Sequence, residues 1–447
     1  MVKTRSIATS PSDVRAKLAK HILADGYDLV FDLERSQGSY LYDSLHQESF
    51  LDFFSFFATN PVGHNHPRVT EESFRRKLAE VAIHNPSNSD IYTVAMADFV
   101  ETFSRHAIPE HLPHLFLVAG GAVGVENAIK AAFDWKVRKN LERGVTGVRG
   151  QQVIHFEQAF HGRTGYSLSM TNTADRRKID YFPKFSWPRI VTPKLRFPRT
   201  EESERAVVEM ERKAVEQIQK ALLENPDDIA ALIIEPIQGE GGDNHFRAEF
   251  FQQIRALADE HEFLFIVDEV QTGVGLTGRM WAYEHFEVLP DVLCFGKKTQ
   301  VCGMLASRRL DEVEHNVFAE SARINSTWGG NLTDMVRFQR YLEIIRSEQL
   351  VEHARDTGEY LRAQLESVQE EFPKLVSNAR GRGLMCAFDM PNGSLRDRFR
   401  QEAFARQMLI LGCGTASIRF RPSLTVARED IDKGMDIARD CLRALGY

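Results

Sequence analysis

Between roughly residues 110 and 310 the chain alternates short apolar runs with stretches patterned at helical spacing. Five runs, Leu115 to Ala119, Val153 to Phe156, Ala231 to Glu235, Phe263 to Val267 and Val292 to Phe295, are apolar almost without interruption. A strand covered on one face alternates apolar and polar residues, so unbroken runs of this length are expected of strands covered on both faces. Behind the first run, Val125, Ala128, Ile129, Ala132 and Phe133 recur at helical spacing. Strand candidates separated by helices predict an α/β domain built on a mostly parallel sheet.

The pattern changes on either side. Residues 187–227 are polar, carry Pro188, Pro193 and Pro198, and lead into a charged helix from Glu201 to Glu224 expected on the outer surface. From about Asn325 onward, long helices are predicted over Leu332 to Glu348 and Leu350 to Phe372, followed by strand-like pieces at Gly383 to Phe388 and Ser417 to Arg421. At the other end, Ser10 as N-cap, Pro11 at the first helical position and Asp13 in the first turn open a helix. The expected division is an N-terminal segment, residues 1–65, joining a small domain; a large α/β domain, residues 66–324; and a small α+β domain, residues 325–447.

Composition narrows the function classes. The 447 residues carry 56 Lys+Arg against 63 Asp+Glu, a formal net charge of -7. Nucleic acids and anionic membranes call for a basic face that displaces counterions, which argues against both as partners. No apolar run reaches the ~18 to 20 residues of a membrane span, and the first twenty residues lack the apolar core of a secretory signal. The five cysteines are odd in number and form no CxxC pair, so neither a disulfide framework nor a zinc site is indicated and a reducing cytoplasm is expected.

The chemistry is concentrated at a few positions. Phe263-Leu-Phe-Ile-Val runs directly into Asp268, placing a carboxylate at the C-terminal end of a buried strand, the edge at which ligands of open parallel sheets bind. The run Asp291 to Gly296 ends in Lys297 and Lys298, the first of them 29 positions after Asp268. That is about the length of one βαβ unit, so Asp268 and one of the two lysines can stand at equivalent strand ends. Pyridoxal phosphate requires such a pair: a lysine for its Schiff base and an acid for its pyridinium nitrogen. Gly120-Gly-Ala-Val-Gly124, between a strand and a helix, suits an anion held by backbone N–H groups. There is no GxGxxG or GxxxxGK[ST] motif to support a nicotinamide enzyme or an NTPase.

Four segments carry a resemblance: Ile234-Glu-Pro-Ile-Gln-Gly-Glu-Gly-Gly242, Ile266-Val-Asp-Glu-Val-Gln-Thr-Gly273, Pro290-Asp-Val-Leu-Cys-Phe-Gly-Lys297 and Arg419-Phe-Arg-Pro422. They resemble the class III (omega) aminotransferases, pyridoxal-phosphate enzymes of fold type I. The stretches 159–173, 182–188, 295–303 and 325–334 are similar to the lysine 6-aminotransferase branch. Where most of the family has a glycine-rich run after its lysine, this chain has Lys298-Thr-Gln-Val-Cys302 before Gly303, as is usual in that branch.

The resemblance implies roles. Lys297 falls on the Schiff-base lysine and later general acid/base, Asp268 on the pyridinium partner, Gln271 beside the cofactor's phenolic oxygen, and Phe160 on the aromatic that stacks on its ring. Gly121 and Ala122 would hold the phosphate, completed by Ser326 and Thr327 from a second subunit, which implies a homodimer with shared sites. Arg419 matches the arginine that grips the α-carboxylate of glutamate or 2-oxoglutarate, and Glu240 the acid that pairs with it and swings away. Arg163 would take the far carboxylate, and Asn325 is placed with these substrate-binding residues. Leaving Arg419 buried and unpaired against a lysine stem would cost roughly 3 to 5 kcal/mol, hence the need for Glu240.

The implied reaction moves the ε-amino group of L-lysine to 2-oxoglutarate, giving 2-aminoadipate 6-semialdehyde and L-glutamate. Ornithine, 4-aminobutyrate or diamine aminotransferases are the alternatives within the class; a non-catalytic cofactor scaffold and a dehydrogenase using Cys302 are the alternatives outside it. Arg419 and Arg421 as a surface pair, and Glu240 as a plain loop carboxylate, are the structural alternatives. His155, His161, His245, Glu269 and Asp243 receive no chemical role.

Overall fold

In the computed structural model the described residues are 9–446; the first eight residues of the N-terminal segment and the last residue of the small domain lie outside them. Strands β1 (Tyr40–Asp43) and β2 (Glu48–Asp52) open the chain as an antiparallel hairpin. β3 (His114–Val118), β4 (Gln152–Phe156), β5 (Arg189–Ile190), β6 (Ile229–Ile234), β7 (Leu264–Asp268), β8 (Val292–Phe295) and β9 (Cys302–Ala306) form a seven-stranded sheet in the order β3-β9-β8-β7-β6-β4-β5. Neighbours from β8 to β5 run parallel, while β9 is antiparallel to both of its neighbours.

All five predicted strands are present, Val292–Phe295 with the predicted bounds and the other four shifted by a residue or two at one or both ends. Their unbroken apolar character has the expected cause. Along β7, Leu264 and Ile266 enter one core together with Val125, Ala128, Ile129 and Ala132 of the helix Gly121–Glu142. Phe265 and Val267 enter the core on the opposite face, with Phe250, Phe251 and Ile254 of the helix Ala248–Glu260. Period-two alternation persists, but both faces are buried, so it does not show as alternating polarity.

The C-terminal region holds β10 (Ser377–Arg382), β11 (Met385–Asp389), β12 (Met408–Leu409), β13 (Leu411–Cys413) and β14 (Ser417–Phe420). Four of these form the sheet β10-β11-β14-β13, and β12 pairs in parallel with β2, Met408 opposite Leu51. The helix Glu201–Glu224 has the predicted bounds and buries only one stripe, including Val207, Ala214 and Ile218. Leu332–Ser347, grouped by sequence with the small domain, packs Phe338 against Phe99 and Phe103 of the helix Val94–His106. The N-terminal helical turn starts at Pro11 as expected, but the Ser10 hydroxyl meets that of Ser12 and caps no backbone N–H. No helix among the described residues is long and apolar enough to cross a membrane.

Candidate active site

Parallel strands bring their C-terminal ends to one edge, and the candidate residues follow from that geometry. Asp268 is the last residue of β7, Glu235 directly follows β6, and Lys297 stands one residue beyond Gly296 at the end of β8. β3 feeds the helix Gly121–Glu142 at the same edge, through Gly120 at φ 98°, a backbone conformation that L side chains seldom adopt. Together with Phe160, Gly162 and Arg163 from the loop after β4, these elements line a cavity of about 360 Å³. Gly121, Ala122, His161, Glu240, Val270 and Gln271 complete its wall. That volume lies within the range of small-molecule and cofactor sites.

The two lysines separate. Lys297 lines the cavity and sits at φ 55°, a left-handed conformation unusual for a residue with a side chain, on the 3-10 turn Lys297–Thr299. Burial, reinforced by the Arg419 guanidinium, pushes its amine down to about 8. Lys298 is buried elsewhere and donates to the carbonyl of Gln271 at 2.7 Å, which rules it out of the cavity.

Asp268 is almost fully buried, and its Oδ2 lies 2.8 Å from His161 Nδ1. Its Oδ1 accepts from the N–H of Val270. His161 therefore fixes the carboxylate, a role that sequence reading left unassigned; its position in Phe160-His-Gly-Arg163 was the available signal. Glu235 was also missed. Its two oxygens accept from the N–H groups of Phe160 and Gly239, tying together two cavity loops. Burial, with Asp268 nearby, raises its carboxyl well above the usual carboxylate range.

Arg419 lies on β14, is 5% exposed, and donates through Nη1 to Gln271 Oε1 at 3.4 Å. Arg421 is 1% exposed and ion-paired to buried Asp243. The surface-pair alternative for these arginines is thus overturned, because β14 is an inner strand of its sheet. Asp243 is a structural counter-ion and Glu269, pushed up to about 7 by burial, accepts from Tyr283 N–H. His155 and His245 are buried and held below the ordinary histidine range by that burial.

Glu240 differs from expectation. It does not pair with Arg419 here; its Oε1 accepts from Lys178 Nζ at 2.6 Å and from Thr173 Oγ1 at 2.7 Å. Lys178 lies on the 3-10 turn Arg176–Lys178, a segment that carries no motif, and so went unnoticed. Asn325, Ser326 and Thr327 lie outside the cavity of their own chain, on a surface loop tied to the 87–91 turn through Ser89 Oγ and the Ser326 carbonyl.

The model of the family "Aminotransferase class-III" matches residues 22–442. The chain belongs to the class III aminotransferases. It is 50% identical over 446 residues to the L-lysine-epsilon aminotransferase of Mycobacterium tuberculosis, covering 99% of this chain and 98% of that protein. It is also 50% identical to that of Amycolatopsis lactamdurans, over 97% and 96%. A solved structure described as the lysine aminotransferase from M. tuberculosis in the internal aldimine form superposes with a TM-score of 0.95 at 50% identity, covering 98% of this chain and all of the other.

Class III aminotransferases use pyridoxal phosphate, and the residues present suit it. An amine near neutrality, a buried carboxylate fixed by a histidine, and a helix N-terminus whose first N–H groups have no intrahelical partner form the donor set this cofactor needs.

Proposed function

We propose that the protein is an L-lysine 6-aminotransferase that moves the ε-amino group of L-lysine to 2-oxoglutarate, giving 2-aminoadipate 6-semialdehyde and L-glutamate in a ping-pong cycle. The observation that carries the chemistry is the convergence of Lys297 and Asp268 on one cavity at the carboxyl edge of the sheet. The choice of lysine rests on the identity to lysine aminotransferases across almost the whole chain.

Pyridoxal phosphate supplies, when bound, an aldehyde that takes up the amino group and a ring that withdraws electrons from the carbon losing its proton. Lys297 would hold it and then move that proton as general base and acid, a task its lowered pKa suits at neutral pH. Asp268, braced by His161, would keep the ring nitrogen protonated through a charge-assisted hydrogen bond. The first-turn N–H groups of Gly121 and Ala122 would bind the phosphate, with Phe160 against one ring face and Gln271 near its oxygen. Arg419 would grip the α-carboxylate of the dicarboxylic substrate, and Arg163, exposed at the cavity, the distal one. Asn325 would assist in substrate binding from the loop it shares with Ser326 and Thr327.

We further infer a homodimer in the cytoplasm. Ser326 and Thr327 sit beside exposed Ile91, Tyr92, Val94 and Trp328, an apolar patch suited to a second copy that would receive them as phosphate contacts. The residue boundaries at 66 and 325 remain our division of the chain.

The test is a half-reaction comparison. Purified holoenzyme mixed with lysine alone should lose the cofactor's yellow absorbance and release a product that cyclises on its own α-amine. Faster bleaching by ornithine or 4-aminobutyrate at equal concentration would overturn the choice of lysine.

A further inference from the structure

Glu240 sits on the partition between the active-site cavity and a second, more polar cavity of about 540 Å³ lined by Lys178, Arg396, Arg400 and Cys413. Its backbone has little freedom. The Glu240 carbonyl accepts from the N–H of Gly414 at 2.7 Å. A Cβ on the next residue, Gly241, would run into the carbonyl oxygen of Gln158. Only the side chain can change partners.

Two arrangements are open to it. In the structure Oε1 is held by Lys178 and Thr173, while Oε2 is buried with no partner. Arg419 is buried with its Nε unpartnered and a single long contact to Gln271. Glu240 lines the cavity together with Gln271, the residue Arg419 contacts, so an orphaned carboxylate oxygen and an orphaned guanidinium nitrogen flank the same cavity wall, yet the two groups are not joined. The carboxylate is taken instead by the ammonium of Lys178, which lies over the Phe160 ring, 6.0 Å from its centroid.

We propose that Lys178 is a specificity-determining positioning residue that holds Glu240 withdrawn, leaving Arg419 open to an α-carboxylate. The proposal rests on the dual-substrate reading above. Lysine, which offers Arg419 only its stem, favours Glu240 on Arg419; a dicarboxylic substrate favours Glu240 on Lys178. Lys178 therefore sets the ratio of the two states. Apparent affinity for the dicarboxylic substrate scales with the fraction of sites in which Arg419 is open.

The experiment measures both half reactions on holoenzyme carrying Lys178→Met. The expected result is a rise of about tenfold in the apparent Kd for glutamate and 2-oxoglutarate, with the lysine half reaction changed less than about threefold and the cofactor absorbance intact. Lys178→Arg should restore the glutamate side. In a Glu240→Gln background, Lys178→Met should add nothing, because the group it positions no longer carries charge. Equal losses in both half reactions, or no change in either, would overturn the proposal. So would a persistent effect of Lys178→Met in the Glu240→Gln background, which would mean direct contact with substrate. Should Lys178→Met not retain cofactor, Lys178→Gln reads the same ratio. If wild-type enzyme fails to bleach with lysine, the substrate reading is wrong, and the glutamate-side measurements still decide the role of Lys178.

Discussion

The Lys297 amine offers the sharpest quantitative check. Burial is the larger influence that lowers it to about 8, and the Arg419 guanidinium adds to the effect. At pH 7.5 an amine of pKa about 8 is roughly one quarter neutral, whereas an ordinary lysine at 10.4 is neutral in about one molecule per thousand. The cavity therefore raises the fraction of nucleophilic Lys297 by about two orders of magnitude. Competitive labelling of cofactor-free protein with trace acetic anhydride, read by mass spectrometry of the Lys297 peptide, measures this directly. Exposed Lys77 serves as the internal reference. The Lys297 profile should bend near pH 8. Arg419→Met removes a repelling cation, so the bend should move upward.

The same shift has a thermodynamic consequence of definite sign. In the folded state the amine is depressed relative to the unfolded chain, so between about pH 8 and 10.4 the unfolded chain binds more protons and stability rises with pH. A difference of about 2.5 units corresponds to about 3 kcal/mol of destabilisation, fully present below pH 8 and relieved towards pH 10.4. Lys297→Met should lack this component, and the stability difference from wild type, taken from urea titrations across that window, should show it. A labelling profile that coincides with that of Lys77 would refute the reasoning, as would a downward shift in Arg419→Met.

Other outcomes follow from the same geometry. Asp243→Ala leaves Arg421 charged and buried, so urea unfolding should show a loss of about 3 to 5 kcal/mol; Asp243→Leu combined with Arg421→Met should recover much of it. His161→Leu removes a hydrogen bond to a buried carboxylate, worth about 1.5 to 3 kcal/mol, and equilibrium dialysis should register cofactor binding weakened by about 10- to 100-fold. Tyr92→Glu places a charge in the exposed apolar patch, and sedimentation should find a monomer that loses cofactor faster than wild type. Retention of both dimer and cofactor would sink the shared-site reading.

The sheet was legible because buried parallel strands write themselves as apolar runs, and Asp268 was legible because a carboxylate ends one of them. β9 was not expected: Cys302 to Ala306 contains a glycine and few bulky residues, and its pairing beside β3 depends on Gly303 lying against the Phe116 carbonyl, a contact across 187 positions of chain. The turn Ser55–Ala58 was equally hidden, since Ser-Phe-Phe-Ala gives no sign of four successive positive φ values. Motifs found the charged groups of the site, but not the groups that hold them in place.

His161, Glu235 and Lys178 act through partners at the far ends of other loops, and a partner is a property of the fold. The Glu240 pairing is the instructive case. Glu240 and Arg419 stand at the sequence positions that the resemblance pairs, yet two favourable contacts, one to an ammonium and one to a hydroxyl, hold the carboxylate elsewhere. A motif that supplies two opposite charges fixes only what is available. Which contact is made depends on the third charged group, and here that group comes from a segment without a motif.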